Sequence, residues 1–169
     1  MRKLLTALAL MSPLAEGAEP ADLDFAAANS LPPGVVAALS SNAERLSPYV
    51  LSAHVNPYYL HGDFDGDGFS DTAILLKERA TGKVGILIVG GSRSGIAVLG
   101  AGQPLGNGGD DLRFMDAWYV YPRAQVHRGA DGGSPPILRG DALMLVKTES
   151  ASALVYWTGN KYAWYQQGD

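Results

Sequence analysis

The short gaps between its apolar runs constrain this chain more than any other feature. Thr72-Ala73-Ile74-Leu75-Leu76, Val84-Gly85-Ile86-Leu87-Ile88-Val89 and Ile96-Ala97-Val98-Leu99 are separated only by residues 77–83 and 90–95. Those gaps hold turn formers, Ala80-Thr81-Gly82-Lys83 and Gly90-Gly91-Ser92-Arg93-Ser94-Gly95. A parallel crossover needs about a dozen residues or more, so these runs are expected to pair as an antiparallel meander. Beyond a glycine-rich loop at 100–109, four further runs have strand character: Ala117–Tyr121, Ala142–Val146, Ala153–Trp157 and Tyr162–Tyr165. Gly159-Asn160, between Thr158 and Lys161, reads as the tight turn of the last hairpin. Ahead of all these the period is helical. Val36, Leu39, Ala43 and Leu46 recur at three- and four-residue steps, Pro32-Pro33 suits a first turn, and Ser47-Pro48 stops the helix. The fold expected is an α+β, β-rich domain over residues 33–169. In it an N-terminal helix packs on a largely antiparallel sheet of about seven or eight strands.

Just before the first β run, aspartate alternates with other residues. Asp63, Asp65, Asp67 and Asp71 stand at positions one, three, five and nine of a loop, and Gly68 stands at position six, where a calcium loop turns sharply. Phe69, at position seven, offers a backbone carbonyl. Four carboxylates this close repel one another, and a divalent cation removes that cost. Oxygen donors alone select a hard ion, and five ligand groups plus water suit Ca²⁺ better than the tighter Mg²⁺ octahedron. The loop is not an EF-hand, because position twelve is Ile74 and a strand follows. An Asp/Gly-rich turn held by Asx-type hydrogen bonds, with no metal, accounts for part of the same pattern. Four aspartates exceed what such a turn needs.

The segment His61-Gly62-Asp63-Phe64-Asp65-Gly66-Asp67-Gly68-Phe69-Ser70-Asp71-Thr72-Ala73-Ile74-Leu75-Leu76 resembles the FG-GAP/VCBS repeat, the strand–calcium loop–strand unit of integrin-type propeller blades. The resemblance spans about one blade's worth of chain. It implies Ca²⁺ in a loop between paired strands, held by Asp63, Asp65, Asp67, the Phe69 carbonyl and Asp71. Full propellers carry several such loops in series, and this chain shows one. The chain as a whole is similar to small exported bacterial proteins.

The first residues suggest export. Arg2 and Lys3 precede an apolar stretch from Leu4 to Leu10 that extends through Leu14, and Ala15-Glu16-Gly17-Ala18 then supplies small residues for cleavage. Residues 1–17 are read as a signal peptide and 18–32 as a linker, with the product periplasmic or secreted. No cysteine is present, which removes disulfides, thiolate zinc and thiol catalysis. The net charge of −4 argues against a nucleic-acid partner. No apolar stretch approaches the ~18 residues of a membrane span, so no membrane insertion is expected.

Catalytic signals are sparse. His54, His61 and His127 are the histidines, and neither Gly-x-Ser-x-Gly nor His-Glu-x-x-His occurs. Pro104 and the lack of a following helix spoil any dinucleotide fingerprint in the 100–109 loop. Asp110, Asp111 and Asp116 offer a second metal loop, with a flexible surface connection as the stronger alternative. No catalytic residue is assigned. The function expected is an exported, soluble calcium-binding module that binds a protein partner, as an inhibitor or immunity-type protein would. The alternatives are an exported hydrolase acting on glycan or peptide around a structural calcium, and a structural envelope protein; His61, beside the loop, reads as a candidate general base or, more strongly, as a partly exposed strand-end residue.

Overall fold

The computed structural model describes residues 29–92, 95–129 and 132–168. The signal peptide read at 1–17 and linker residues 18–28 lie outside the described residues. Two antiparallel sheets form the body. The first contains β1 (Tyr49–Leu51), β2 (Tyr59–Gly62), β3 (Asp71–Glu78), β4 (Val84–Val89) and β5 (Ile96–Gly100). β1 and β2 lie end to end along one edge of β3, which pairs with β4, which pairs with β5. The turn between β3 and β4 is closed by the Gly82 N–H on the Glu78 carbonyl at 2.9 Å and the Glu78 N–H on the Lys83 carbonyl at 2.8 Å. The second sheet is a meander of β6 (Ala117–Tyr121), β7 (Ala142–Lys147), β8 (Ala151–Trp157) and β9 (Tyr162–Gly168).

The β-rich, antiparallel expectation therefore holds, with two corrections. Nine strands occur among the described residues instead of seven or eight, and they form two sheets instead of one. The physical reason lies in the faces of the strands. Successive side chains on a strand point to opposite sides. Ala73, Leu75, Ile86 and Ile88 turn inward and meet Trp118, Leu143, Leu145 and Val155 of the second sheet, in one core with Phe64, Leu99, Leu105, Leu112 and Met115. The alternate residues Ile74, Leu76, Leu87 and Val89 turn outward, where they cluster with Leu31, Val35 and Ala38. β3 and β4 are thus covered on both faces, so no alternation shows in their sequence.

The helix expected from Pro33 to Leu46 is two segments, α1 (Pro33–Ser41) and α2 (Ala43–Leu46). Asn42 divides them, with its side-chain amide donating to the Ala38 carbonyl at 2.8 Å. The buried stripe is Leu31, Val35 and Ala38, while Val36 is 43% exposed and Ala43 is exposed. The outer face of the second sheet, Ala142, Met144, Leu154 and Tyr165, is covered by Val126 and Leu138 from the connection between β6 and β7.

The glycine-rich loop at 100–109 is anchored by buried Ala101 and Leu105, while Gln103, Pro104, Gly106, Asn107 and Gly109 lie at the surface. Leu105, Leu112 and Met115 plug the end of the inter-sheet core. The Gly102 N–H bonds the Asp110 carbonyl and the Leu105 N–H bonds the Gly109 carbonyl, both at 2.8 Å. No helix among the described residues is long and apolar enough to cross a membrane.

Candidate metal centre

β2 ends at Gly62 and β3 begins at Asp71, and these two residues are cross-strand partners. Residues 63–70 are therefore the loop of a β-hairpin. Phe64 pins this loop to the body: its side chain is 1% exposed and belongs to the inter-sheet core. With Phe64 turned inward, the residues on either side face the loop's own concavity.

The carboxylates then fold the loop around themselves. Asp71 is 1% exposed. Its Oδ2 accepts the N–H groups of Phe64 at 2.8 Å and Asp65 at 3.2 Å, and its Oδ1 accepts that of Gly91 at 2.9 Å. Asp65 Oδ1 accepts the Asp67 N–H at 3.0 Å, and Asp67 Oδ1 accepts the Phe69 N–H at 2.9 Å, two Asx-type turns in succession. Asp63 Oδ2 accepts the Gly68 N–H at 3.1 Å. Asp67 Oδ2 takes the hydroxyl of Ser92 from the β4–β5 turn. Gly66, at φ 75°, lies where a side chain would meet the Arg139 backbone, so glycine is required there on two counts.

One carboxylate oxygen each from Asp63, Asp65 and Asp71 comes within 4.8 Å of the other two, and this is the one such group of metal-ligating side chains among the described residues. Of the four aspartates expected as ligands, three converge in this way. Asp67 is engaged with Ser92 and the Phe69 N–H, and the Phe69 ring stands exposed at the loop surface. The residues present fit a cation on one further observation. Asp63 Oδ1 is buried and accepts no hydrogen bond, which leaves a charged acceptor uncompensated. A buried acceptor left without a partner costs about 1–3 kcal/mol, which a hydrogen-bond donor or a cation would offset.

The electrostatics of the neighbourhood agree. Burial pushes the Asp71 carboxyl above its usual range; the Gly91 N–H opposes that shift and the Asp65 charge adds to it. The Tyr162 phenol is pushed far up by burial and then by the charges of Asp71, Asp65 and Asp63. Trp157 and Tyr162 are cross-strand partners with ring centroids 4.9 Å apart. With Asp65 and Asp71 they line a cleft of about 240 Å³. Trp164 lies edge-on to Phe114 at 6.1 Å.

Asp110, Asp111 and Asp116, read as a second metal loop or a surface connection, do not converge into a metal-binding group. Asp110 pairs with Lys83 and Asp111 with Arg113, each at 2.5 Å, and Asp116 pairs with Lys147 at 3.1 Å. Burial alone would raise Asp111, but the N–H groups of Val84 and Arg113 and the Arg113 guanidinium outweigh it and hold the carboxyl low. Asp116 is held at about 2 by the Thr148 N–H and hydroxyl and by Lys147.

The three histidines are dispersed. His54 Nδ1 is 3.2 Å from the Ser52 hydroxyl, and burial lowers its pKa. The His127 carbonyl accepts the Gln167 side-chain amide at 3.4 Å. His61 Nδ1 is 3.0 Å from the Thr72 hydroxyl, and its ring lies edge-on to Tyr59. With Ser70 and Thr72, His61 lines a groove of about 460 Å³ beside α1.

Two residues that shape this centre went unread in the sequence. Phe64 carried a partial signal, an aromatic side chain inside a run of aspartates, but Phe69 shares that signal and is exposed. Asp141 carried none, because its hydrogen bond to Asp63 spans 78 positions. Comparison with protein-family models, with curated proteins and with solved structures finds no match to the chain.

Proposed function

We propose that this chain is an exported calcium-binding module, periplasmic or secreted, in which the ion fixes the β2–β3 hairpin and the surface binds a protein partner. The observation that carries the reading is the buried, unbonded Asp63 Oδ1 beside the converged oxygens of Asp65 and Asp71. Asp63, Asp65 and Asp71 would hold the ion, with Asp67 and the Phe69 carbonyl completing the oxygen set that the FG-GAP/VCBS resemblance implies. Bound Ca²⁺ would supply charge neutralisation and cross-linking, not chemistry on a substrate. In support of a protein partner, Ile137 is 92% exposed, and its Pro135-Pro136 neighbours with Val126 line an open cleft of about 550 Å³. An inhibitor or immunity-type role is the form of partnership proposed.

Thermal melts in chelator, Ca²⁺ and Mg²⁺ test the metal half. Extracellular calcium modules bind at roughly 10⁻⁴–10⁻³ M. At ten times that concentration, binding to the native state alone adds about RT ln 11, or ~1.4 kcal/mol. For a domain of this size the melting temperature rises by roughly 3–6 °C, with a smaller rise in Mg²⁺. Identical melting in all three buffers sinks the reading. Capture from an envelope extract by wild type but not by Ile137→Asp tests the partner half.

The second reading, an exported hydrolase acting on glycan or peptide, is favoured by the groove that brings His61, Ser70 and Thr72 together. His61→Ala separates the two. A turnover activity abolished by that change in a folded protein would replace the binding-module reading.

A further inference from the structure

We propose that Asp141 is a positioning residue for the metal loop, and that through it calcium binding is transmitted to the second sheet at Arg123. The inference rests on the calcium reading of residues 63–71. Asp141 stands immediately before β7 and grips both backbone groups of Asp63. Its N–H donates to the Asp63 carbonyl at 2.7 Å, and its Oδ2 accepts the Asp63 N–H at 3.1 Å. Its other oxygen, Oδ1, accepts the N–H of Arg123 at 3.0 Å, in the connection that covers the second sheet.

The surroundings leave this clamp little freedom. A side chain at Gly140 would collide with the Asp63 carbonyl and the Gly66 backbone, and one at Gly62 would sit 3.0 Å from Asp141 Oδ2. Residues 139–141, which lead into β7, and the loop at 63–66 therefore lie backbone against backbone, with glycines at the approach points. Asp63 is the loop residue whose carboxylate carries the unbonded oxygen, so fixing its backbone narrows the positions that oxygen can take. A carboxylate suits this role because it accepts two N–H groups at once with charge-assisted bonds. Residues that orient metal ligands without touching the ion typically change metal affinity about 10–100-fold when removed. An ion drawn to Asp63 would tighten the same clamp, and Arg123 would be held with it.

The test is a calorimetric titration of CaCl₂ into wild type, Asp141→Ala, Asp141→Asn and the control Asp116→Asn, with amide exchange at Arg123 followed in wild type with and without Ca²⁺. Asp116 accepts comparable bonds from Thr148 and Lys147 away from the loop. Asp141→Ala is expected to weaken Ca²⁺ binding about 10–100-fold. Asp141→Asn, which keeps one acceptor, falls between it and wild type, and Asp116→Asn leaves affinity unchanged. Exchange at the Arg123 amide slows when Ca²⁺ is added to wild type. If Asp141→Ala does not fold, Asp141→Asn decides. Wild-type affinity in the folded Asp141 variants overturns the positioning role and leaves the metal reading standing. An Arg123 amide indifferent to Ca²⁺ overturns the transmission. A wild type that binds no Ca²⁺ overturns the metal reading and this inference together.

Discussion

Residues 63–71 and residues 110–116 are both rich in aspartate, yet they arrive at opposite electrostatic arrangements. In the first stretch the carboxylates are drawn in among backbone N–H groups, and three of them bring oxygens within 4.8 Å of one another. In the second, each aspartate ends beside a basic side chain: Lys83, Arg113 or Lys147. The cause is placement. The first stretch closes a hairpin pinned by Phe64, which folds the chain around its own carboxylates. The second runs from a loop plugged by Leu105, Leu112 and Met115 into β6, and its acids splay toward neighbouring strands. Acid density alone does not bring carboxylates together; spacing set against a tight strand-to-strand connection does.

The largest expected effect tests the anchor behind this difference. Phe64→Ala removes a fully buried ring from the inter-sheet core and is expected to cost about 3–5 kcal/mol in urea unfolding. A loss below about 1 kcal/mol would mean the loop is not held by its ring. Next comes Asp71→Asn, expected to cost about 1–3 kcal/mol without metal, because the amide cannot accept all three N–H groups that the carboxylate serves. An unchanged urea midpoint would remove Asp71 from its role as the loop's staple.

The smallest effect lies in the second stretch and is a matter of pH. Folding lowers the Asp116 carboxyl from an ordinary 3.8 to about 2. Its stabilising effect is therefore complete above pH 3.8 and lost as pH falls through 2. The difference in urea midpoint between wild type and Asp116→Asn should be visible at pH 6 and vanish near pH 2. A difference that persists unchanged at pH 2 contradicts the ionised pairing of Asp116 with Lys147 and Thr148.

How much of this was legible follows from the range of each interaction. The runs that became β3 to β9 stood out because turn residues bounded them. β1 and β2 did not, since both are short and lie near Pro48 and Pro57. The second layer was hidden because six successive residues, Asp71 to Leu76, are all buried. Such a run says that both faces are covered and does not say by what. In the aspartate loop, the spacing of the acids anticipated that Asp63, Asp65 and Asp71 converge, but not that Asp67 stays outside the group. That Asp67 would turn to Ser92 depended on where the β4–β5 turn lands, and the Asp141 clamp depended on how the two sheets meet. Neither has a local signature.

The central claim, that the first aspartate stretch is a calcium site and the second is not, is tested most directly by isothermal titration of CaCl₂ into chelator-stripped wild type, Asp63→Ala and Asp110→Ala. Wild type and Asp110→Ala are expected to bind one Ca²⁺ with the same affinity, in the range of roughly 10⁻⁴–10⁻³ M, and Asp63→Ala to bind none. Absence of binding in the wild type, or equal binding in the Asp63→Ala variant, would contradict the account and leave residues 63–71 as a turn held by Asx-type hydrogen bonds alone.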